Sequence, residues 1–386
     1  MEKKLKIVDL FCGCGGFGLG AKQAEFDVVA AVDIDTTLQS AYRLNFPKTR
    51  VLNGDLSKMD KDAWHLILGD EKIDGVIGGP PCQGYSRMGK GDVNDPRRSL
   101  LYHFFRTINI IQPSFFVMEN VEGLLDEGNI EELQKAIATA DRKYTILPPI
   151  ILDASKYGVP TKRKRVVVIG YVAQIFEKIT EDDLIAAQQP SVTVKDAIQD
   201  IPEPVPQSKD KGNLGWSKYR EIGSVSSYAA KMRSAPPENM GSPEAIEMLA
   251  RGYTSGNFET IHTDLVKQRY EATKPGEVDK VSRAKKLAWN GLCPTLRAGT
   301  GVDKGSHQAV RPLHPEAARV ITVREAARLQ GFPDWFCFHS AKWHSFRMIG
   351  NSVSPIVSEA ILKLLQKKLS IKSHQKIERS ARKRNG

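Results

Sequence analysis

Asp9-Leu-Phe-Cys-Gly-Cys-Gly-Gly-Phe-Gly-Leu-Gly20 is the stretch that decides the fold. The apolar run at residues 5–11 reads as a buried strand, and the small residues behind it open a helix. Gly13, Gly15 and Gly18 satisfy the spacing of a dinucleotide-binding loop, and Asp33 follows about 20 residues on, at the end of the next strand. Glycines let a backbone approach a ligand, and a helix start offers free N–H groups to an anion. An acid ending the second strand is placed to hold two ribose hydroxyls. A nicotinamide dinucleotide meets these demands and so does S-adenosylmethionine, while a plain structural turn needs the glycines alone.

Outward from that loop, residues 1–170 alternate as an open parallel sheet does. Strand-like runs fall at 5–11, 28–34, 51–54, 73–78, 114–119, 144–152 and 165–172. Helical patterns between them are clearest at Thr36–Asn45, Leu100–Ile111 and 130–140. From about 185 to 300 the pattern breaks under Pro190, Pro202, Pro204, Pro206, Pro236, Pro237 and Pro243, which marks a second, irregular domain without internal repeats. Order returns with a short helix capped by Thr322, with Glu325 at the capping-box position. A last helix starts after Pro355 and runs to about Leu369. The expected division is a catalytic and cofactor-binding domain at 1–185, a recognition domain at 186–305, a return to the first domain at 306–370 and a basic tail at 371–386.

The 386 residues carry a net charge of +11, which suits a polyanionic partner, nucleic acid above all. Much of the excess lies in the tail, from Lys367 to Arg384. In mid-chain, Lys209, Lys211, Lys218, Arg220, Lys231 and Arg233 interleave with Trp216, Tyr219 and Tyr228, a pattern that suits nucleic acid better than charge alone. No apolar run approaches the roughly 20 residues that cross a bilayer, and the start has no apolar signal region. The expectation is a cytoplasmic protein with no membrane partner. Its five scattered cysteines are not a disulfide framework, and Cys337, His339 and His344 lack a fourth metal ligand, so no metal is expected.

Gly78-Gly-Pro-Pro-Cys-Gln-Gly-Tyr-Ser-Arg-Met-Gly89 follows the fourth strand. Pro80 and Pro81 stiffen the loop that presents Cys82, and residues 86–98 behind it have the composition of a lid. A stiff shelf bearing a thiol suits a nucleophile, although an arbitrary cysteine is more often buried and structural. Met118-Glu-Asn-Val-Glu-Gly123 ends the fifth strand and brings Glu119 to the carboxyl edge of the sheet, where ligands of open α/β sheets bind. Gly158-Val-Pro-Thr-Lys-Arg-Lys-Arg165 leads into the seventh with Arg163 and Arg165 on one face, and Gly350-Asn-Ser-Val-Ser-Pro355 is a turn before the last helix.

In this order the segments resemble the DNA cytosine-5 methyltransferase family, bacterial restriction–modification type. Residues 9–20 look like its first motif, 79–84 its Pro-Cys nucleophile loop, 119–121 its glutamate motif, and Arg163 with Arg165 its paired-arginine motif. Residues 324–336 (Arg-Glu-Ala-Ala-Arg-Leu-Gln-Gly-Phe-Pro-Asp-Trp-Phe) resemble the penultimate motif and 350–353 the last. Cys293-Pro-Thr-Leu-Arg-Ala-Gly-Thr300 is similar to an element near the end of the family's variable recognition domain.

The resemblance implies an α/β S-adenosylmethionine-dependent methyltransferase (Rossmann-like) sheet with helices on both faces, plus a smaller irregular target-recognition domain. It implies a cytosine flipped out of double-stranded DNA, attacked by Cys82, held at ring nitrogen 3 and the amine by Glu119 and at the carbonyl by Arg165. Arg163 would meet a phosphate or the closed lid. S-adenosyl-L-methionine, leaving as S-adenosyl-L-homocysteine, would lie along Phe11, Gly13, Gly15 and Gly16, with Asn351 and Ser352 closing that side. Asp33 would take the ribose, Asp55 the adenine amine, and Ile34, Leu56 and Leu100 would flank the ring. Thr161, Met348 and Ile34 depart from the family pattern at peripheral positions. The implied working unit is a monomer, with a cognate restriction endonuclease as a possible companion. A dehydrogenase would leave the Pro-Cys loop and paired arginines idle. A transfer-RNA methyltransferase of the same fold shares the catalytic motifs, and a non-catalytic DNA-binding module shares only the charge.

Overall fold

A computed structural model describes residues 4–81, 96–210, 212–298 and 311–369. Cys82, residues 86–95 of the expected lid, Lys211 and the basic tail lie outside the described residues. The first half runs β1 (Lys6–Leu10), α1 (Gly16–Gln23), β2 (Asp27–Asp33), α2 (Thr36–Asn45), β3 (Arg50–Asn53), α3 (Lys61–Leu68) and β4 (Gly75–Gly78). It continues through α4 (Leu100–Ile111), β5 (Phe115–Val121), α5 (Asn129–Ile137), β6 (Tyr144–Ile146), β7 (Ile150–Asp153), β8 (Thr161–Lys162) and β9 (Lys164–Val172).

Strands β3, β2, β1, β4 and β5 lie side by side in that order, all parallel. The chain thus winds one way from β1 and then restarts on its other side at β4, which makes the gap between their carboxyl ends a topological switch point. The sheet is not parallel throughout, as the sequence pattern had implied: β9 runs antiparallel to β5, with β6 and β7 antiparallel on its far side. The single strand expected at 144–152 is two pieces on one line along β9. They part at Pro148 and Pro149, which have no N–H to give a ladder.

Central strands are buried on both faces, as a covered parallel sheet requires. Phe116 and Met118 of β5 point to one layer and Phe115 and Val117 to the other. The first layer is closed by α3, α4 and α5. Leu101, Phe104, Phe105 and Ile108 recur on α4 at helical spacing, and all are buried against Phe116 and Val8.

The other layer includes the second half of the chain: α6 (Glu181–Ala186), α7 (Val194–Ile198), β10 (Ser217–Lys218), α8 (Ser227–Met232), α9 (Pro243–Ala250) and β11 (Tyr253–Thr254). After these come α10 (Asp264–Ala272), β12 (Cys293–Pro294), α11 (Val323–Gln330), α12 (Lys342–Asn351) and α13 (Pro355–Lys368). The middle segment has only short elements, yet Ile198, Tyr228, Met232 and Leu296 share one apolar cluster with Val117 of the sheet, Leu329 of α11 and Ile361 of α13. Gly350 and Asn351, read from sequence as a turn, form the last turn of α12.

Charged residues fasten the two halves from inside. Arg328 of α11 is fully buried and donates to Asp334 (2.6 Å), to Asp200 (3.0 Å) and to the Ala197 carbonyl (2.8 Å). Burial alone would raise the Asp334 carboxyl, but the Arg328 guanidinium overrides it and holds the group below its usual range. The Tyr219 hydroxyl donates to Asp334, Arg233 stacks 3.8 Å over the Tyr219 ring, and Tyr228 donates to the Arg328 carbonyl. Trp216 donates to Glu244 at 2.9 Å. Trp216, Tyr219, Tyr228 and Arg233 of the interleaved stretch are therefore spent on intramolecular contacts. Among the described residues one stretch, Lys342–Lys368, is long and apolar enough for a membrane span, but it is two helices parted at 352–354, and 67% of its apolar 18-residue window is buried.

Candidate functional site

A cavity of about 390 Å³ opens where β1, β2, β4 and β5 end, on the switch-point side. Every expected site residue in the described part lines it except Gly15. Its floor is the loop after β1, where Phe11, Gly13 and Gly15 all have positive φ (53°, 52° and 100°). A non-glycine residue held there is strained, a feature that clusters at ligand sites. Gly15 caps α1, and a Cβ on it would sit 2.6 Å from the Phe46 ring, so it serves the turn and the packing beneath. Gly16 faces the cavity and the 352–353 turn together: a Cβ there would lie 2.3 Å from the Val353 carbonyl oxygen.

Asp33 ends β2 and binds the loop. Its Oδ2 accepts from the Gly13 N–H at 2.9 Å and its Oδ1 from the Asp35 N–H at 2.8 Å. Burial raises this carboxyl despite those two bonds. Asp55 differs, because the Ser57 hydroxyl (2.7 Å) and N–H (3.0 Å) both donate to its Oδ1 and hold the carboxyl below its ordinary value. Ile34 is 67% exposed at the rim while Leu56 is buried, and both line the wall with Leu100. Asn351 and Ser352 come from the end of α12 and close the opposite side.

The other wall is built from β4, β5 and β9. Glu119 and Arg165 lie on these last two antiparallel strands, and the Arg165 Nε reaches the Glu119 Oε1 at 3.0 Å. A Cβ on Gly79 would be 3.4 Å from the Glu119 Oε2, so the loop leading to Cys82 passes directly over the carboxylate. The Asn120 amide ties that loop down by donating to the Pro80 carbonyl at 3.2 Å. Arg163 also borders the cavity but is 3% exposed, and its described bonds go to the carbonyls of Leu296 (3.3 Å), Gly350 (3.1 Å) and Ser352 (2.8 Å). It holds the end of α12 against the β8–β9 corner, where a cation also suits the helix dipole. Of the expected lid, Arg98 is described, and it is bound to Glu132 and Asn129 of α5.

Sequence reading quoted Asp9 but gave it no role. Asp9 lines the cavity yet is 1% exposed; its Oδ2 accepts from the Tyr42 hydroxyl at 3.1 Å, and its Oδ1 is buried with no hydrogen-bond partner among the described residues. Burial pushes this carboxyl up to about 8. The Asp35–Arg347 pair (2.6 Å) at the mouth was also missed, since nothing local links residues so far apart. The described cysteines, 12, 14, 293 and 337, are all buried, and burial pushes each thiol up, Cys14 to about 12. Among the described residues no three His, Cys, Asp or Glu side chains are grouped to hold a metal.

A family model described as C-5 cytosine-specific DNA methylase matches residues 5–367. The Type II methyltransferase M.XorII of Xanthomonas oryzae pv. oryzae is 41% identical over 375 residues, covering 94% of this chain and 85% of that protein. The Type II methyltransferase M.DdeI of Desulfomicrobium norvegicum is 30% identical over 92% of this chain and 87% of its own length. Among solved structures, a candidate DNA modification methyltransferase encoded within an E. coli prophage superposes with a TM-score of 0.83 at 40% identity, covering 95% of this chain and 99% of that one. The S. pombe Dnmt2 methyltransferase shares the fold alone, with a TM-score of 0.60 at 16% identity.

Proposed function

The chain belongs to the C-5 cytosine-specific DNA methylase family, and we propose that it transfers a methyl group from S-adenosyl-L-methionine to carbon 5 of a cytosine flipped out of a specific double-stranded DNA sequence, through a covalent Cys82 adduct. The observation that carries this is the continuity of one cavity. The glycine loop and Asp33 line one side of it, and the Glu119–Arg165 pair under Pro80 and Pro81 lines the other. Two reactants held in one enclosed volume need no further encounter.

The residues suit an adenosine cofactor: Asp9 lines the cavity and has a buried carboxyl oxygen without a hydrogen-bond partner among the described residues, and the Gly16 backbone borders the cavity against Ser352 and Val353 where no side chain has room. When bound, that cofactor supplies an electrophilic methyl group on a sulfonium. Phe11, Gly13 and Gly16 would run along it with Asn351 and Ser352 opposite. Asp33 would accept from the ribose hydroxyls on lone pairs its backbone donors leave over, Asp55 would accept from the adenine amine, and Ile34, Leu56 and Leu100 would bracket the ring. Gly15 and Arg163 support this site by positioning it.

Carbon 5 of cytosine is too electron-poor to take the methyl group unaided. Addition of a thiolate at carbon 6 makes an enamine whose carbon 5 is nucleophilic. Cys82 is that nucleophile in the proposal, and the inert burial of the four described thiols supports it. Glu119, steered by Arg165, would hold ring nitrogen 3 and the exocyclic amine as negative charge builds on the ring. Loss of the carbon-5 proton then expels Cys82 and leaves 5-methylcytosine with S-adenosyl-L-homocysteine. Residues 186–305 would select the sequence, and the Type II relatives support a restriction–modification setting with a cognate endonuclease.

Bisulfite sequencing of DNA from cells expressing the protein, beside a Cys82→Ala control, tests this. Protected cytosines in one short motif, absent from the control, are expected. Protection that persists in the control overturns the nucleophile, and no protection in either overturns the DNA substrate.

A further inference from the structure

Three basic side chains from three separate parts of the chain meet beside the amino end of α12, away from the cavity. Arg311 lays its guanidinium 4.1 Å from the centre of the Phe346 ring of α12. Lys342 lies one helical turn before Phe346 on the same face, and its Nζ donates to the Glu259 carbonyl. His262, three residues beyond Glu259, turns its Nε2 to the Val320 N–H at 3.4 Å, so the remaining ring N–H points elsewhere.

No carboxylate among the described residues forms an ion pair with Arg311, Lys342 or His262, although Glu259 lies within the field of Lys342. The surroundings make all three less basic. Burial is the first cause in each; Arg311 then depresses both Lys342 and His262, and Lys267 and Lys342 also depress His262. Arginine stays charged in proteins, so this is a partly desolvated guanidinium facing like charges. Such a gathering is stable only at a cost that an anion in the same place would remove.

We propose that Arg311, Lys342 and His262 form a seat for one phosphodiester of the DNA backbone, separate from the pocket that takes the flipped base. This rests on the DNA methyltransferase function proposed above. Duplex DNA is the fitting source of the phosphate because α12 joins the seat to the cavity. Lys342 opens the helix and Asn351 ends it, roughly 14 Å further along the axis. That span equals about four nucleotide steps of a strand, at roughly 3.4 Å each. His262 and Arg311 flank the segments that lie between the middle of the chain and α11. The seat would therefore fix how the recognition half sits on the strand that offers the cytosine, without reading any base.

Equilibrium binding of a labelled duplex of random sequence, followed between about 50 and 200 mM salt, tests the seat in the full-length protein. Arg311→Gln and Lys342→Gln should each lower the slope of log affinity against log salt by about 0.9, the contribution of one phosphate. The double variant should lose no more than either alone, and Lys342→Arg should restore the slope. Melting temperatures and S-adenosyl-L-methionine affinity report whether a variant has misfolded. Unchanged slopes in folded variants overturn the proposal while leaving the enzyme's function intact. Loss of inorganic phosphate binding with an unchanged duplex slope also overturns it, in favour of a free anion. Absence of salt-dependent duplex binding in the unaltered protein overturns the function and the seat together.

Discussion

Asp9 is a cavity residue whose state depends strongly on its surroundings. An ordinary aspartate ionises near 4, whereas burial pushes this one up to about 8. The groups around it offer no cation: Tyr42, Cys12 and Cys14 are themselves held neutral by burial, and Asp33 adds negative charge. The folded chain thus holds a proton at Asp9 that the unfolded chain has released. This contribution to stability is complete below about pH 4, erodes as pH rises, and is gone above about pH 8. Asp9→Asn should remove the erosion, leaving the variant's stability flatter over that window by up to a few kcal/mol, at ~1.4 kcal/mol per pK unit. Denaturant unfolding across pH 5–8 would measure it, and parallel curves for the two proteins would show that Asp9 is ionised throughout. At Glu119 the expectation is catalytic. Glu119→Gln keeps the shape but leaves an amide against Arg165, and methyl transfer should fall by about 10²–10⁴-fold while the cofactor still binds. Radiolabelled methyl transfer and cofactor titration on one preparation separate the two effects. Glu119 and Arg165 were legible in the sequence because each sits at a strand end that the apolar pattern fixes. Asp9 was not, because an acid on an inward-facing β1 position looks like any acid until the helix packed above it is known. Arg163 was half legible: its position was right, but its carbonyl partners come from residues 296, 350 and 352.

Helix α11 holds the two halves together through an ionic contact made inside the protein. All eight of its residues are buried, and its amino end carries the expected box, with Thr322 accepting from the Glu325 N–H and the Glu325 carboxylate accepting from the Thr322 N–H. Arg328→Met keeps much of the volume of that side chain but removes the cation that Asp200 and Asp334 share, leaving Asp200 to Arg233 and Asp334 to Arg324 and Tyr219. Removing one partner of a buried network typically costs 3–5 kcal/mol. A loss of that size in urea unfolding is expected, and a loss below about 1 kcal/mol would mean that the network relaxes to solvent. Element positions followed from the sequence wherever one periodicity ran unbroken, as on α4 and β5. Strand direction did not, since an apolar run looks the same in either sense and only the long-range pairing of β9 with β5 decides it. The aromatic residues of 209–233 were misjudged for a related reason. Tyr219 and Tyr228 present hydroxyls that a nucleic acid or a buried Asp334 and Arg328 carbonyl could equally use, and composition does not distinguish them.

At the scale of the whole molecule, the middle segment is the part that sequence treats as separate and the structure packs into the common interior. Met232 and Leu296 share a cluster with Val167 of the sheet, and Asp200 and Arg233 complete the ionic contact with α11. Any exchange of this segment therefore has two requirements. The incoming segment must supply the side chains that read its target bases, and it must also reproduce the groups that face Arg328, Arg324 and the β8–β12 pairing. Replacing 186–305 by the corresponding segment of a relative with another target should change the methylated sequence if Asp200, Tyr219, Ser255 and Arg233 are retained. With those four replaced by alanine, the same chimera should lose cooperative unfolding before it loses any specificity, because Arg328 would lose Asp200, Asp334 would lose the Tyr219 hydroxyl and Arg324 would lose the Ser255 hydroxyl. Bisulfite sequencing reads the first outcome and thermal unfolding the second. A folded chimera that keeps the original target would move recognition out of 186–305, to the residues at 306–310 or to the loop after β4. A chimera that folds and methylates without the four contacts would show that the apolar cluster holds the halves together without them.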